Sequence, residues 1–369
     1  MYQFFPENYM WTIRINGIIS ESYLGGGNWG EIQRVIRKLD PKDPDSWGRE
    51  WDAMGDEVRR LAMQAESDGI DPLSRDRHLR AANYYQLGEL FTPHRDPNKM
   101  EMYRKSLDCF HRAMAHIPNI KSVEIPYENA HMPGYFINAS RNGEKRPVLV
   151  IVDGLDGTAE KMYFIAGPKC EEYGLSALCV DGPGNGGSIR LHGHTHRFDA
   201  EVPAKAIFDY LETRDDVDLN RVALMQPSLG GYSVIRAVAF EKRFAACIVY
   251  GAMFDYFKIW EGRPDNHPFA EHLRWILGVD SMAAAREKIK QYTLEDVAHL
   301  VECPTLILHG ENDAQVPLSD AQKTYDLIRG PKKLRVFTEE EQADHHCQQE
   351  NLLIVREEIF AWLTSIFDL

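Results

Sequence analysis

The sequence predicts an α/β protein: a mostly parallel, twisted sheet with helices on both faces, preceded by a helical N-terminal domain. Three observations predict it. From about residue 120 onward, short continuous apolar runs recur, as strands buried on both faces require. Amphipathic stretches alternate with those runs, the pattern of strands joined by crossover helices. From about residue 28 to 117 the apolar spacing is helical instead. The expected division is therefore 1–117, a helical cap or dimerisation domain, and 118–369, the sheet domain.

In chain order, Trp47 to Ala65 has helical spacing, and Asp71-Pro72-Leu-Ser74 reads as a helix start. Arg75 to Phe91 and Pro97 to His116 are two further amphipathic helices, parted by Thr92-Pro-His-Arg-Asp-Pro97. Ser122 to Pro126 and Gly134 to Asn138 read as a hairpin. Buried strands follow at Pro147–Val152, Ser176–Val180, Val222–Met225, Ala246–Tyr250, Thr305–Leu308 and Leu334–Phe337. Helices are expected at Glu160–Glu172, Val202–Thr213, Gly230–Phe240 and Asp320–Ile328. The alternation breaks at about 255–300, a helical insertion rich in Trp, Phe and charge. An insertion after a late strand is a candidate lid.

A net charge of -14 argues against nucleic acid and anionic membranes as partners, since phosphate binding needs a basic face. The six cysteines form no C-x-x-C pair, which argues against a zinc knuckle or a thioredoxin-like site. No basic n-region with an apolar h-region opens the chain, and no run of about 18 apolar residues occurs. A cytoplasmic, reduced protein acting on a small molecule is the expectation.

The chemistry centres on Arg221-Val-Ala-Leu-Met-Gln-Pro-Ser-Leu-Gly-Gly-Tyr232. An apolar run ends in Ser228, and small residues and a helix follow. That is the layout of a nucleophile elbow, which lifts a serine hydroxyl above a sheet. The usual first glycine of G-x-S-x-G is replaced by Gln226, and Pro227 fixes one φ of the turn. A neutral hydroxyl needs a base in hydrogen-bond reach and an acid to orient that base. Asp313, in His309-Gly-Glu-Asn-Asp-Ala-Gln-Val-Pro317, follows the strand Thr305–Leu308. His345 and His346 follow the last strand and compete for the base role. Glu311 lies near Asp313, which is preferred because Ala-Gln-Val-Pro follows it directly. The order Ser…Asp…His, each member after a strand, is the order of the α/β-hydrolase fold.

Acyl transfer also needs donors for an oxyanion. The backbone N–H of Leu229, next to the nucleophile, is one candidate. The N–H of Leu155, in the loop Asp153-Gly-Leu-Asp-Gly-Thr158, is the other. The loop Asp181-Gly-Pro-Gly-Asn-Gly-Gly-Ser188 lacks the phosphate-loop lysine and does not fit G-x-G-x-x-G. It reads as a strand-end loop beside the site. His192, His194 and His196 alternate after it without a convincing fourth metal ligand, so no metal is expected. The lid and the N-terminal domain are expected to enclose an aromatic pocket with Tyr163, Phe254, Asp255, Tyr256 and Trp260.

Asp153-Gly-Leu-Asp-Gly, Asp181-Gly-Pro-Gly-Asn-Gly, Glu201-Val-Pro-Ala-Lys-Ala-Ile-Phe-Asp-Tyr-Leu, Ser228-Leu-Gly-Gly-Tyr and His346-Cys-Gln together resemble one group of α/β-hydrolases. These carry an N-terminal helical domain and include 2,6-dihydroxypseudooxynicotine hydrolase and fungal hydrolases that shorten naphthopyrone polyketides. The resemblance covers the chain from about residue 75 to its end. It implies cleavage of a carbon–carbon bond beside a ketone, or of a related acyl bond, with no cofactor and as a homodimer. It also implies Ser228 as nucleophile, Asp313 as acid and, from the His-Cys pairing, His346 as base. An ester, lactone or thioester hydrolase or an acyltransferase would use the same triad. A non-catalytic binding module on this fold is the reading from another class, favoured only by Gln226.

Overall fold

The computed structural model describes residues 1–155 and 157–369. The chain divides into two compact units, Met1–Ile120 with Gln349–Leu352, and Lys121–Gln348 with Leu353–Leu369. Among the described residues, no helix is long and apolar enough to cross a membrane.

The first unit is helical: α1 (Tyr9–Glu21), α2 (Trp29–Ile36), α3 (Asp45–Ser67), α4 (Asp71–Glu89) and α5 (Pro97–Met114). Directed polar contacts fix the register of the three long helices. Trp47 Nε1 of α3 donates to the Leu87 carbonyl of α4 at 2.7 Å. Ser106 Oγ of α5 donates to the Ala82 carbonyl of α4 at 2.8 Å. Buried hydrogen bonds of this kind each contribute about 1 kcal/mol net and cost more to leave unmade. Helix α1 lies upstream of every helix predicted from the sequence. Asn16 and Gly17 interrupt its apolar pattern, but Asn16 is satisfied internally, its Nδ2 donating to the Thr12 carbonyl at 2.8 Å.

The second unit holds an eight-stranded sheet in the order β1-β2-β4-β3-β5-β6-β7-β8. The strands are β1 (Ile120–Tyr127), β2 (Ala130–Ile137), β3 (Arg146–Val152), β4 (Ser176–Val180), β5 (Val217–Pro227), β6 (Ala246–Tyr250), β7 (Thr305–Gly310) and β8 (Lys332–Phe337). Strand β2 runs antiparallel to β4, and every neighbouring pair from β4 to β8 is parallel. Residues 147–152, 176–180, 222–227 and 246–250 are all buried, as expected for strands covered on both faces. The carboxyl ends of β3, β5, β6, β7 and β8 therefore share one edge, where sites of open α/β sheets form.

Two elements differ from expectation for identifiable reasons. The helix expected at Glu160–Glu172 is split into α6 (Ala159–Ile165) and α7 (Gly167–Cys170). Pro168 lacks the N–H that a continuous helix would use. Strand β5 begins five residues before the predicted Val222. Asp218, Asn220 and Arg221 make its first half polar, so the apolar run marks only the buried half. Helices α8 (Gly186–Arg190), α9 (Glu201–Glu212) and α10 (Leu229–Phe240) follow β4 and flank β5. Between β6 and β7 lie α11 (Tyr256–Glu261), α12 (Ala270–Leu277) and α13 (Met282–Ile289), where a helical insertion is predicted. Helices α14 (Leu318–Leu327) and α15 (Leu352–Phe367) complete the chain.

Candidate active site

Strand β5 ends at Pro227 and α10 begins at Leu229, so Ser228 is the single residue of the turn. Its backbone sits at φ 59 and ψ -119. A non-glycine residue there is strained by about 1–3 kcal/mol and persists only where its surroundings fix it. Here the Ser228 N–H donates to the Tyr250 carbonyl at 2.8 Å, and the Ser228 carbonyl accepts from Gly231 N–H at 2.7 Å. The sharp turn therefore forms with Gln226 in place of the first glycine. Gly230 provides the room: a Cβ added there would lie 2.5 Å from Gln226 Cβ. The Gln226 side chain lines a second cavity with Asp153, Asn185, His196 and Ser233.

Two loops at the same sheet edge deliver the partners of Ser228. His346 Nε2 lies 2.9 Å from Ser228 Oγ, and its Nδ1 lies 2.7 Å from Asp313 Oδ2. The second contact assigns the tautomer: Nδ1–H donates to the carboxylate, which leaves Nε2 to accept from the serine hydroxyl. Asp313 Oδ1 accepts from the N–H groups of Gln315 at 2.8 Å and Val316 at 3.0 Å. Burial works against the Asp313 charge, but His346 and these donors overcome it and hold the carboxyl below its ordinary range. Burial likewise works against a proton on His346, and the Asp313 carboxylate overcomes it, raising His346 above 6.5. His345 lies 3.2 Å from Asp344, and Glu311 accepts from the Glu339 N–H, so neither competes for a place in this chain.

The loop after β3 approaches the elbow closely. A Cβ on Gly154 would lie 2.5 Å from the Pro227 carbonyl oxygen. Asn185 Nδ2 donates to the Gly154 carbonyl at 2.6 Å. That carbonyl and the Leu155 N–H belong to one trans peptide and point in opposite directions. The Asn185 bond thus fixes the direction of the Leu155 N–H. His272 of α12 contacts the Leu155 carbonyl at 3.2 Å. Leu229 opens α10, where helix geometry leaves N–H groups without an intrahelical acceptor. Asp156 of this loop lies outside the described residues.

Leu155, Ser228 and Leu229 line one cleft with Met253, Tyr256, Ile259, Trp260, Arg263, Phe269, Gln315 and Val316. Of the aromatic residues predicted for the pocket, Tyr256 and Trp260 are therefore in place. The described lining of this cleft does not include Tyr163, Phe254 or Asp255. Asp255 is the N-cap of α11, accepting from Lys258 N–H at 3.1 Å. Phe254 is buried, with the Lys323 ammonium 4.2 Å from its ring and its N–H on Asp320. Tyr163 is buried in α6 against Phe164. Of the alternating histidines, His196 is buried and contacts the Tyr292 hydroxyl at 3.2 Å, while His192 and His194 pack beside His131 and Tyr127.

Residues 204–369 match the prolyl oligopeptidase family. The α/β hydrolase xenA of Xenoacremonium sinensis is 27% identical over 88% of this chain and 87% of its own. The 20-hydroxy-prefusarin hydrolase FUS2 of Gibberella moniliformis is 27% identical over 93% of each. The crystal structure of 2,6-dihydroxy-pseudo-oxynicotine hydrolase superposes with a TM-score of 0.81 at 22% identity, covering 94% of this chain and 95% of that one. This chain has the α/β-hydrolase fold. It is related to fungal hydrolases across most of its length.

Three contributors to the hydrolase site are absent from the sequence reading. Asn185 sits in the Asp181-Gly-Pro-Gly-Asn motif, which signals a turn but not a target 31 residues away. His272 reaches across 117 residues. His309, at the end of β7, is fully buried; its Nδ1 accepts from Ala252 N–H at 3.1 Å and its Nε2–H donates to the Val316 carbonyl at 3.0 Å. It thereby fixes the acid loop, 3.8 Å from Asp313.

Proposed function

We propose that this hydrolase cleaves a carbon–carbon bond beside a ketone, on an aromatic or polyketide-type substrate, with Ser228 as nucleophile, His346 as base and Asp313 as the orienting acid. The observation that carries the reading is the continuous Ser228–His346–Asp313 hydrogen-bond chain opening onto an aromatic-lined cleft. The similarity to a 20-hydroxy-prefusarin hydrolase and to 2,6-dihydroxy-pseudo-oxynicotine hydrolase supports the substrate class.

His346 Nε2 takes the Ser228 proton as Oγ bonds to the ketone carbon. The resulting oxyanion is held by the N–H groups of Leu155 and Leu229. The carbon–carbon bond then breaks, and its electron pair passes into the neighbouring carbonyl as an enolate. The proton on His346 goes to that carbon, so the same residue is base and then acid. Water, activated by His346, releases the acyl group from Ser228 as an acid. Direct attack by that water on the ketone is the shorter variant of the scheme.

Incubation with benzoylacetone and with p-nitrophenyl acetate in ¹⁸O-water tests it. The expected result is a ketone and an acid carrying one ¹⁸O from the diketone, in excess over ester turnover. Ester turnover without diketone cleavage would replace this reading with an esterase. A folded protein inert to both, and to a fluorophosphonate probe, would make it a binding module.

A further inference from the structure

The cleft over Ser228 has an uneven supply of hydrogen-bonding groups. None of its described lining residues carries a carboxylate, but three carry side-chain N–H donors: Trp260, Arg263 and Gln315. Trp260 is 1% exposed, and its indole Nε1–H is buried without an acceptor. The Gln315 amide Nε2 is also buried without an acceptor. Native structures leave few such groups, and each costs about 1–3 kcal/mol unless a partner arrives.

Arg263 is the more informative of the three. Its guanidinium stacks 5.0 Å from the Trp260 ring and donates to the Gln315 carbonyl at 3.2 Å. Among the described residues, no carboxylate forms an ion pair with it. Other arginines contrast with it: Arg286, which donates to the Arg263 carbonyl, pairs with Asp265 at 2.7 Å, and Arg236 pairs with Glu201 at 2.8 Å. Burial also destabilises the Arg263 cation and lowers its pKa from 12.5, and the Tyr256 hydroxyl and the more distant Asp313 carboxylate offset this only in part. A half-buried cation that forms no ion pair is costly and is stabilised by an anion that reaches it. Its five donors in a planar fork match a carboxylate or an enolate oxygen better than an ammonium would.

We infer that Trp260, Arg263 and Gln315 form a recognition site for an acidic oxygen of the substrate, so that the hydrolase selects substrates bearing a carboxylate, phenolate or enolate over neutral ones. The inference rests on the proposed function, because it places this site beside the serine that attacks. It also fits that chemistry. The enolate released by carbon–carbon cleavage is itself an acidic oxygen, whereas the alcohol released from an ester is not.

Protection of Ser228 from a fluorophosphonate probe tests the inference, with matched ligand pairs: benzoate against benzamide, and the enolate of 5,5-dimethylcyclohexane-1,3-dione against its neutral O-methyl enol ether. The first pair reads carboxylate recognition and the second reads enolate recognition. In the wild type, at least one anion should protect at concentrations about tenfold lower than its neutral partner. In Arg263→Met that ratio should fall to about one, and Arg263→Lys should keep part of it. Trp260→Phe keeps one aromatic ring but loses the N–H together with part of the indole, so it should reduce the ratio about two- to fivefold. It also serves if Arg263→Met does not fold. Melting-temperature shifts with the same ligands give a second readout that needs no nucleophile. Absence of labelling would overturn the proposed function, while the melting shifts would still decide the anion preference. Equal protection by both members of both pairs in wild type, or an unchanged ratio in folded Arg263→Met, would overturn the inference.

Discussion

The strand-end loops and the helical insertion between β6 and β7 meet at the cleft over Ser228, and their polar groups are used differently. In the loops, the contacts around the reacting groups are mutually satisfied: Ser228 to His346, His346 to Asp313, and Asp313 to two backbone N–H groups. In the insertion, and at Gln315 on the side of the acid loop that faces the cleft, donors are left over: Trp260 Nε1 and Gln315 Nε2 are buried without an acceptor, and Arg263 forms no ion pair with a carboxylate among the described residues. A satisfied network preorganises chemistry, because no group has to reorient when charge develops. An unsatisfied one reserves its donors for a ligand. Position in the fold explains the contrast. The loops grow from parallel strands hydrogen-bonded into one sheet, which fixes their ends, whereas the helices of the insertion are short and lie between β6 and β7.

The largest expected break comes from Ser228→Ala. Turnover should fall at least about 10³-fold, measured by steady-state kinetics, because the hydroxyl that attacks is gone; a much smaller loss would favour direct attack by water. Asp313→Asn should cost about 10³–10⁴-fold, because the amide leaves His346 without its orienting acceptor. Its pH profile separates orientation from charge. His346 must be neutral to act as base, so wild-type labelling should rise with pH through a midpoint above 6.5. Removing the carboxylate removes the attraction that retains the proton, and the midpoint should move to lower pH. An unmoved midpoint would separate His346 from Asp313.

Asn185→Leu addresses the oxyanion loop. With the Gly154 carbonyl released, the Leu155 N–H should lose its direction, and kcat should fall about 10- to 100-fold with a smaller change in KM. A change confined to KM would assign Asn185 to substrate binding instead. Gly230→Ala addresses the elbow. The new Cβ would meet Gln226 Cβ at 2.5 Å, so unfolding free energy should drop by about 1–3 kcal/mol. Adding Gln226→Gly should recover most of that loss, and a melting-temperature cycle would read the coupling. The smallest effect belongs to the lid. Trp260→Phe should raise KM a few-fold and leave kcat within about twofold, because it removes one neutral donor and part of the cleft's lining but no group that takes part in the proton transfers.

The contrast also explains what could be read from the sequence. The buried strands announce themselves as apolar runs, and Ser228, Asp313 and His346 are legible because each follows such a run in a fixed order. The polar half of β5 is not legible, since Asp218 and Asn220 break the run. Nor is the split between α6 and α7, which depends on a single proline. Asp255 is typed as a pocket residue by proximity to Tyr256 and Trp260, yet it serves as a helix cap. Contacts such as His272 to the Leu155 carbonyl depend on how the helical insertion packs against the loop after β3. Local sequence does not encode that.

The most direct test of the central claim, that the strand-end loops make Ser228 the nucleophile, is intact-mass and peptide mapping after fluorophosphonate treatment. The account expects a single adduct on Ser228 that is absent from folded Ser228→Ala. A folded wild type that takes no adduct, or one that carries it on another residue, would contradict it.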